Sequence, residues 1–287
     1  MKKILSYILA GITMVSLCAG VFAEEKDNVA ERYVKVKIPF PDTIEDRNSW
    51  LTRACYQGSG EPIPLSMAYG DYVYATIPAE NKDRTIEAYV PEALEFTDID
   101  DTNPDFHDAK MLSRVGVIKG NEKGEAKLSA NVTRAEAVAM VMRFIGLEGL
   151  AWEHTSELSA GYAEIEKFSD VTEKDWFYYV VTYARECGIV EGDSPDTFSP
   201  SRDVTREEVT AMIARALQYA GLSCPKSEAE NNSDKDNISD WAKDAVYKCA
   251  RAGLVNGIGN NMFDPKASAT RAQGATLFTN FHKEYMK

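Results

Sequence analysis

Three arginines occupy matching places in this chain, inside the units Thr133-Arg134-Ala135-Glu136, Thr205-Arg206-Glu207-Glu208 and Thr270-Arg271-Ala272-Gln273. Threonine followed three residues later by Glu or Gln is a capping box. The hydroxyl takes a free N–H of the first helical turn, and the Glu or Gln reaches back to the cap residue's own N–H. Gln273 keeps this role, because an amide oxygen also accepts hydrogen bonds. The arginine is the unusual choice, since a cation at the first helical position opposes the helix dipole. One reading pairs each arginine with a carboxylate of an acidic chain. The sharper reading has Arg134, Arg206 and Arg271 join the helix N-terminal donors to hold an external anion. A cation at that position adds little to the helix, so Arg206→Ala is expected to leave stability nearly unchanged.

Other chemistries find less support. An exported hydrolase needs paired carboxylates or a nucleophile with its base. Only His107, His154 and His282 could serve as histidine bases, and none lies in a recognisable motif. Asp98, Asp100, Asp101 and Asn103 cluster, yet the run lacks the glycine and distal glutamate of a calcium loop and reads as a solvated acidic turn. Past Cys18 there are four cysteines, Cys55, Cys187, Cys224 and Cys249, whose spacing fits no metal motif. Cys187 and Cys249 align with small or apolar positions and read as buried small hydrophobes. A Cys187–Cys224 disulfide is the less favoured alternative. No metal and no cofactor is expected.

The elements that must position the arginines recur with them. Gly116, Gly188 and Gly253 each precede a Thr-Arg unit by 17 positions, and each opens a Gly-[Val/Ile/Leu]-[Ile/Val] step. A second glycine follows four residues later, at Gly120, Gly192 and Gly257. Constant spacing over three segments marks an internal repeat. Phe96-Thr97-Asp98-Ile99 and Phe168-Ser169-Asp170-Val171 open the first two, and Ile238-Ser239-Asp240 opens a shortened third. An amphipathic helix comes next, predicted over Trp176 to Cys187 and Trp241 to Ala252, with the glycines as left-handed stops. Phe198-Ser199-Pro200 or Phe263-Asp264-Pro265 then leads to the capping box. The second helices bury Val138, Val141, Met142 and Ile145, and Val209, Met212, Ile213 and Leu217, at helical spacing.

The chain has 287 residues and a formal charge of −13, which argues against nucleic acid and anionic lipid as partners. It begins with Met1-Lys2-Lys3 and an apolar run ending at Val21-Phe22-Ala23, the pattern of a secretory signal peptide cut after Ala23. A retained anchor is the alternative, since the run approaches spanning length. Stable membrane insertion after cleavage is not expected. Residues 24–93 read as a small β-rich region. Tyr33 to Ile38 alternates with period two, Tyr72 to Ile77 and Thr85 to Val90 form a plausible hairpin, and Trp50, Cys55 and the tyrosines supply a core. About 70 residues is marginal for independent folding, so the region is expected to lean on the repeats.

Taken together, the Phe-x-Asp openings, the Gly-[Ile/Leu]-Val steps, the Phe-x-Pro turns and the Thr-Arg-[Ala/Glu]-[Glu/Gln] units resemble the S-layer homology (SLH) domain in three tandem copies. The boundaries are 94–148, 168–222 and 238–287, with an inter-repeat segment at 149–167 and a polar linker at 223–237. The resemblance implies a mainly α fold of three helix-loop-helix repeats in a pseudo-threefold assembly. It also implies grooves that bind an anionic, pyruvylated secondary cell-wall polymer without covalent attachment, on a secreted, non-catalytic surface protein. The residues it assigns to polymer binding are Arg134, Arg206, Arg271, Trp176, Trp241, Gly120, Gly192 and Gly257. Trp176 and Trp241 are able to stack on sugar rings, although a tryptophan at a helix start more often joins the core. Repeat one departs from the pattern, with Pro104 in place of the tryptophan and Lys127-Leu128-Ser129 in place of the Phe-x-Pro turn.

Overall fold

The strand alternation read at Tyr33 to Ile38 produces β1 (Tyr33–Pro39), whose residues are alternately sheltered and exposed after Tyr33. Five further strands follow: β2 (Arg53–Tyr56), β3 (Pro62–Ile63), β4 (Ser66–Tyr69), β5 (Tyr72–Pro78) and β6 (Ile86–Tyr89). The computed structural model describes residues 32–41, 44, 52–69, 71–157, 167–222 and 233–285. The expected signal peptide at 1–23, Trp50, Cys224 and most of the 223–237 linker lie outside them. Among the described residues no helix is long and apolar enough to cross a membrane.

The strands form two antiparallel three-stranded sheets, ordered β1-β5-β4 and β3-β2-β6. The hairpin expected between Tyr72 to Ile77 and Thr85 to Val90 does not form. Both segments are strands, but β5 is flanked by β1 and β4, whereas β6 pairs with β2. Both hydrogen-bonding edges of β5 are therefore taken, and a short 3-10 turn at Ala79–Asn81 sends the chain to the other sheet. Ala54, Val73, Ala75 and Ile77 fill the space between the sheets, and Cys55 is buried with them. This region leans on the repeats as its size requires. Tyr33 Oη donates to the Ile145 carbonyl at 2.9 Å and its ring meets Tyr219 edge-on at 6.2 Å. The Leu94 N–H donates to Ser113 Oγ at 3.0 Å.

The remainder is helical: α1 (Phe106–Arg114), α2 (Arg134–Phe144), α3 (Glu148–Glu157), α4 (Tyr178–Glu186), α5 (Arg206–Tyr219), α6 (Asp240–Arg251) and α7 (Arg271–Tyr285). The segment expected as a connector at 149–167 thus begins as a helix, α3, which buries Ala151 and packs on α4. All eight predicted core residues of α2 and α5 are buried. Gly116, Gly188 and Gly253 adopt φ of 73°, 68° and 71°, as helix-stop glycines do. Cys187 and Cys249 are free thiols, Cys249 buried and Cys187 half-buried.

Contacts between repeats run in a closed order. Helix α2 packs on α4, α5 on α6, and α7 returns to α1. The residues preceding the capping boxes bond in a ring: Val132 N–H to the Ala269 carbonyl, Ala269 N–H to Val204, and Val204 N–H to Val132, at 2.8 to 2.9 Å. Phe144 of α2 meets Phe278 and Phe281 of α7 with ring centroids 4.5 and 5.1 Å apart, so the first and third repeats share a core.

Candidate anion-binding grooves

Each capping box forms as its sequence dictates. Thr133 and Thr205 close the reciprocal box with Glu136 and Glu208, and Gln273 Oε1 accepts the Thr270 N–H at 3.1 Å. The box fixes where the helix starts, and the next residue, the arginine, is thereby aimed into the following repeat.

Arg134 Nε donates to the Phe198 carbonyl at 2.8 Å and Nη2 to the Glu191 carbonyl at 2.9 Å. Arg206 does the same with Phe263 and Asn256, at 2.8 and 3.0 Å. Arg271 closes the cycle on the first repeat, reaching Ala126 at 2.9 Å and Lys119 at 3.2 Å. The six acceptors are equivalent, three and ten residues after the stop glycines. Arg134 and Arg206 also lie over the rings of Phe198 and Phe263, with 4.7 and 4.9 Å from guanidinium carbon to centroid. Burial lowers the pKa of all three arginines without threatening their charge. Each arginine is therefore a strut between repeats, a role that the capping box alone did not reveal.

The expected pairing with carboxylates holds for Arg134, whose Nη1 lies 3.0 Å from Glu208 Oε1 and whose Nη2 lies 3.7 Å from Asp193. Arg202 bridges the same two acids at 2.7 and 2.9 Å. Burial opposes ionisation of Glu208, yet bonds from Arg202 and the Thr205 N–H, with the field of Arg134, hold its carboxyl below the usual range. Asp193 is lowered in the same way. A carboxylate depressed in the folded state adds stability above its unfolded pKa and loses it as pH falls through the folded value. The Glu208→Gln variant keeps the cap but loses this tie. Its melting temperature should fall less steeply than the parent's between about pH 5 and pH 3, and parallel curves would show that the cluster contributes nothing.

The loops that receive the arginines are held by three aspartates that were not singled out as functional. Asp98 accepts the N–H groups of Ala126 and Lys127, Asp170 those of Phe198 and Ser199, and Asp234 those of Phe263 and Asp264. These bonds pin Lys127, Ser199 and Asp264 at φ of 50°, 59° and 55°. Two expectations change accordingly. The third repeat opens at Ser233-Asp234 rather than at Ile238-Ser239-Asp240, because Asp234 makes the bonds of Asp98 and Asp170. Asp240 instead starts α6 and pairs with Lys243 at 2.6 Å. In the first repeat the turn is Ala126-Lys127-Leu128, one residue earlier than expected, and it keeps its shape without phenylalanine or proline. A recurring Asp 28 or 29 residues before the turn was the available signal.

The second glycines are explained by backbone crowding. A Cβ on Gly192 would collide with the carbonyl oxygens of Ser194 and Thr197, and one on Gly257 would lie 2.6 Å from the Met262 oxygen. At Gly120 the nearest atoms are 3.4 Å away. Trp176 and Trp241 depart from the core role usual for a helix-start tryptophan, since they are 60% and 51% exposed. The acidic run near Asp98 is used locally, with Asp98 on the turn backbone and Asp100 on Thr102.

Between α5, α7 and the loop after α6 lies a groove of about 230 Å³. It is lined by Arg206 with Val209, Leu254, Ile258, Gln273 and Leu277 among others, and Arg206 is the single charged residue of the lining. Arg206 is 8% exposed, and its Nη1 has no hydrogen-bond partner among the described residues. Chemically, this is a buried guanidinium edge presented to an apolar recess.

Comparison with known proteins places these elements in a family. Residues 167–210 and 233–275 are S-layer homology domains, and the second match begins at Ser233, where the structure opens the third repeat. The chain is 36% identical over 171 residues to the amylopullulanase of Thermoanaerobacterium thermosulfurigenes, covering 58% of this chain and 8% of that protein. It is 26% identical over 160 residues to the cellulosome-anchoring protein of Acetivibrio thermocellus, covering 56% and 34%. It is also 26% identical over 174 residues to the surface-layer 125 kDa protein of Lysinibacillus sphaericus, covering 59% and 13%. The chain thus spans about a third or less of each of these relatives.

Proposed function

We propose that this chain is a secreted, non-catalytic surface protein held on the bacterial cell wall by three S-layer homology repeats. In this reading residues 94–148 are the first repeat, and the three form a pseudo-threefold assembly. The partner is an anionic secondary cell-wall polymer, with pyruvylated sugars as the recognised group. The observation that carries the reading is the cyclic placement of Arg134, Arg206 and Arg271, each at a helix N-terminus and each reaching into the next repeat. A helix N-terminus and a guanidinium together suit a carboxylate better than either alone. The cyclic helix contacts and the backbone ring support the assembly. Exposed Trp176 and Trp241 are available to cover sugar faces beside the grooves. The relatives named as an anchoring protein and a surface-layer protein agree with an envelope location. The shared part is a small fraction of the relative named as an enzyme, so its activity does not transfer.

The test is retention of the purified chain on isolated cell walls before and after acid extraction of the secondary polymer. Retention on intact walls and at least a tenfold loss on extracted walls is expected. Equal binding to both would remove the polymer as partner, and no binding to either would end the anchoring reading.

A further inference from the structure

The three grooves share one plan but differ at one residue. Beside each arginine stands the third helical residue of the following repeat's second helix: Glu208 beside Arg134, Gln273 beside Arg206 and Glu136 beside Arg271. In the first groove the neighbour is an occupant. Glu208 Oε1 takes Arg134 Nη1 at 3.0 Å, so Nε, Nη1 and Nη2 of that guanidinium are all bonded within the protein. In the groove of Arg271 the charged neighbour is again glutamate, and Glu136 is the foremost carboxylate whose field acts on it. In the groove of Arg206 the neighbour is an amide. Gln273 spends Oε1 on the Thr270 N–H, and its Nε2 has no partner among the described residues.

We propose, building on the anchoring reading above, that the groove between the second and third repeats is the anion-accepting groove of this chain. Gln273 is its selector, keeping open a site that Glu208 and Glu136 close in the other two. The physical case is a competition. An external carboxylate must displace or sit beside an internal one in the grooves of Arg134 and Arg271, and like charges at close range repel strongly where water is scarce. Around Arg206 the lining offers two donors, Arg206 Nη1 and Gln273 Nε2, and no carboxylate. Asp234 and Asp264 also act on Arg206, but neither lines the groove, and Asp234 is bonded to the turn backbone.

The lining also defines the ligand. Two donor groups satisfy one carboxylate, whereas a dianionic phosphate would leave charge unmatched in a recess walled by Val209, Leu254, Ile258 and Leu277. A monocarboxylate with a small alkyl group on the same carbon fits, as in a pyruvate ketal, where the acid meets Arg206 and the methyl group meets the apolar wall.

Three single variants of the full chain test this. Each is measured for wall retention and, by calorimetry, for binding of a pyruvylated hexose methyl glycoside and its non-pyruvylated parent. Thermal melting verifies that each variant folds. The parent chain should bind one glycoside per molecule. Gln273→Glu, which recreates the capping box of the other repeats, should fold normally and weaken both readouts at least tenfold. Glu208→Gln and Glu136→Gln should each raise the stoichiometry towards two. If the parent holds walls and Gln273→Glu holds them equally, the choice of groove is wrong while anchoring stands. If neither Glu→Gln variant gains a site, Gln273 is not the selector. A parent that ignores walls overturns both readings.

Discussion

Arg206→Ala is expected to lower the melting temperature markedly, against the expectation from its place in the capping box. The guanidinium is 8% exposed and donates to the carbonyls of Phe263 and Asn256, which belong to the next repeat. Truncation leaves two sheltered acceptors without their donor, at about 1–3 kcal/mol each. It also removes the stack on Phe263 and empties the space beneath the turn. The sum is about 3–5 kcal/mol, or a fall of roughly 6–15 °C for a domain of this size. Thr205→Ala, which removes only the cap, should cost about 1 kcal/mol. Differential calorimetry of the two variants decides the matter. Equal small losses would mean that the arginine is not a strut. Arg206→Lys is the variant to use for binding, because it keeps the charge and part of the contact while losing the planar fork.

Gly192→Ala should be the most damaging of the three second-glycine substitutions. The added methyl would run into the carbonyl oxygens of Ser194 and Thr197 and lie 2.7 Å from a ring carbon of Phe168. Two of those obstacles are backbone, which has no rotamer to yield. The loop must therefore open, and with it the turn that presents the Glu191 and Phe198 carbonyls to Arg134. Overpacking of this kind costs about 3 kcal/mol or more. The same substitution at Gly120 meets its nearest atoms at 3.4 Å and should cost under about 1 kcal/mol. Urea unfolding of Gly192→Ala, Gly257→Ala and Gly120→Ala should rank them in that order of damage. A null effect at Gly192 would show that the loop is more accommodating than its geometry allows. The ranking also separates a structural need for glycine from a need for ligand access, since the latter would spare stability at all three positions.

The local sequence settled everything whose cause is local. Period-two alternation placed β1, helical spacing placed the buried faces of α2 and α5, and glycines in the left-handed region ended the helices where expected. The capping boxes were legible because a threonine and a Glu or Gln three residues apart need nothing beyond one helical turn. The recurrence of these units at constant spacing was enough to mark repeats and their family.

What the sequence left open depends on which distant segment arrives beside a given residue. Strands β5 and β6 carry strand-like residues, but their partners are chosen by sheet packing, so the expected hairpin became two separate pairings. Asp234 looked like linker because its partners, Phe263 and Asp264, lie 29 and 30 residues away. Arg134, Arg206 and Arg271 carry identical local signals, yet their bonds reach 50 to 152 residues along the chain. Only the tertiary structure could show that one arginine faces Glu208, another Glu136 and the third Gln273. A groove is made by two repeats, and its charge is the sum of side chains that the sequence keeps far apart.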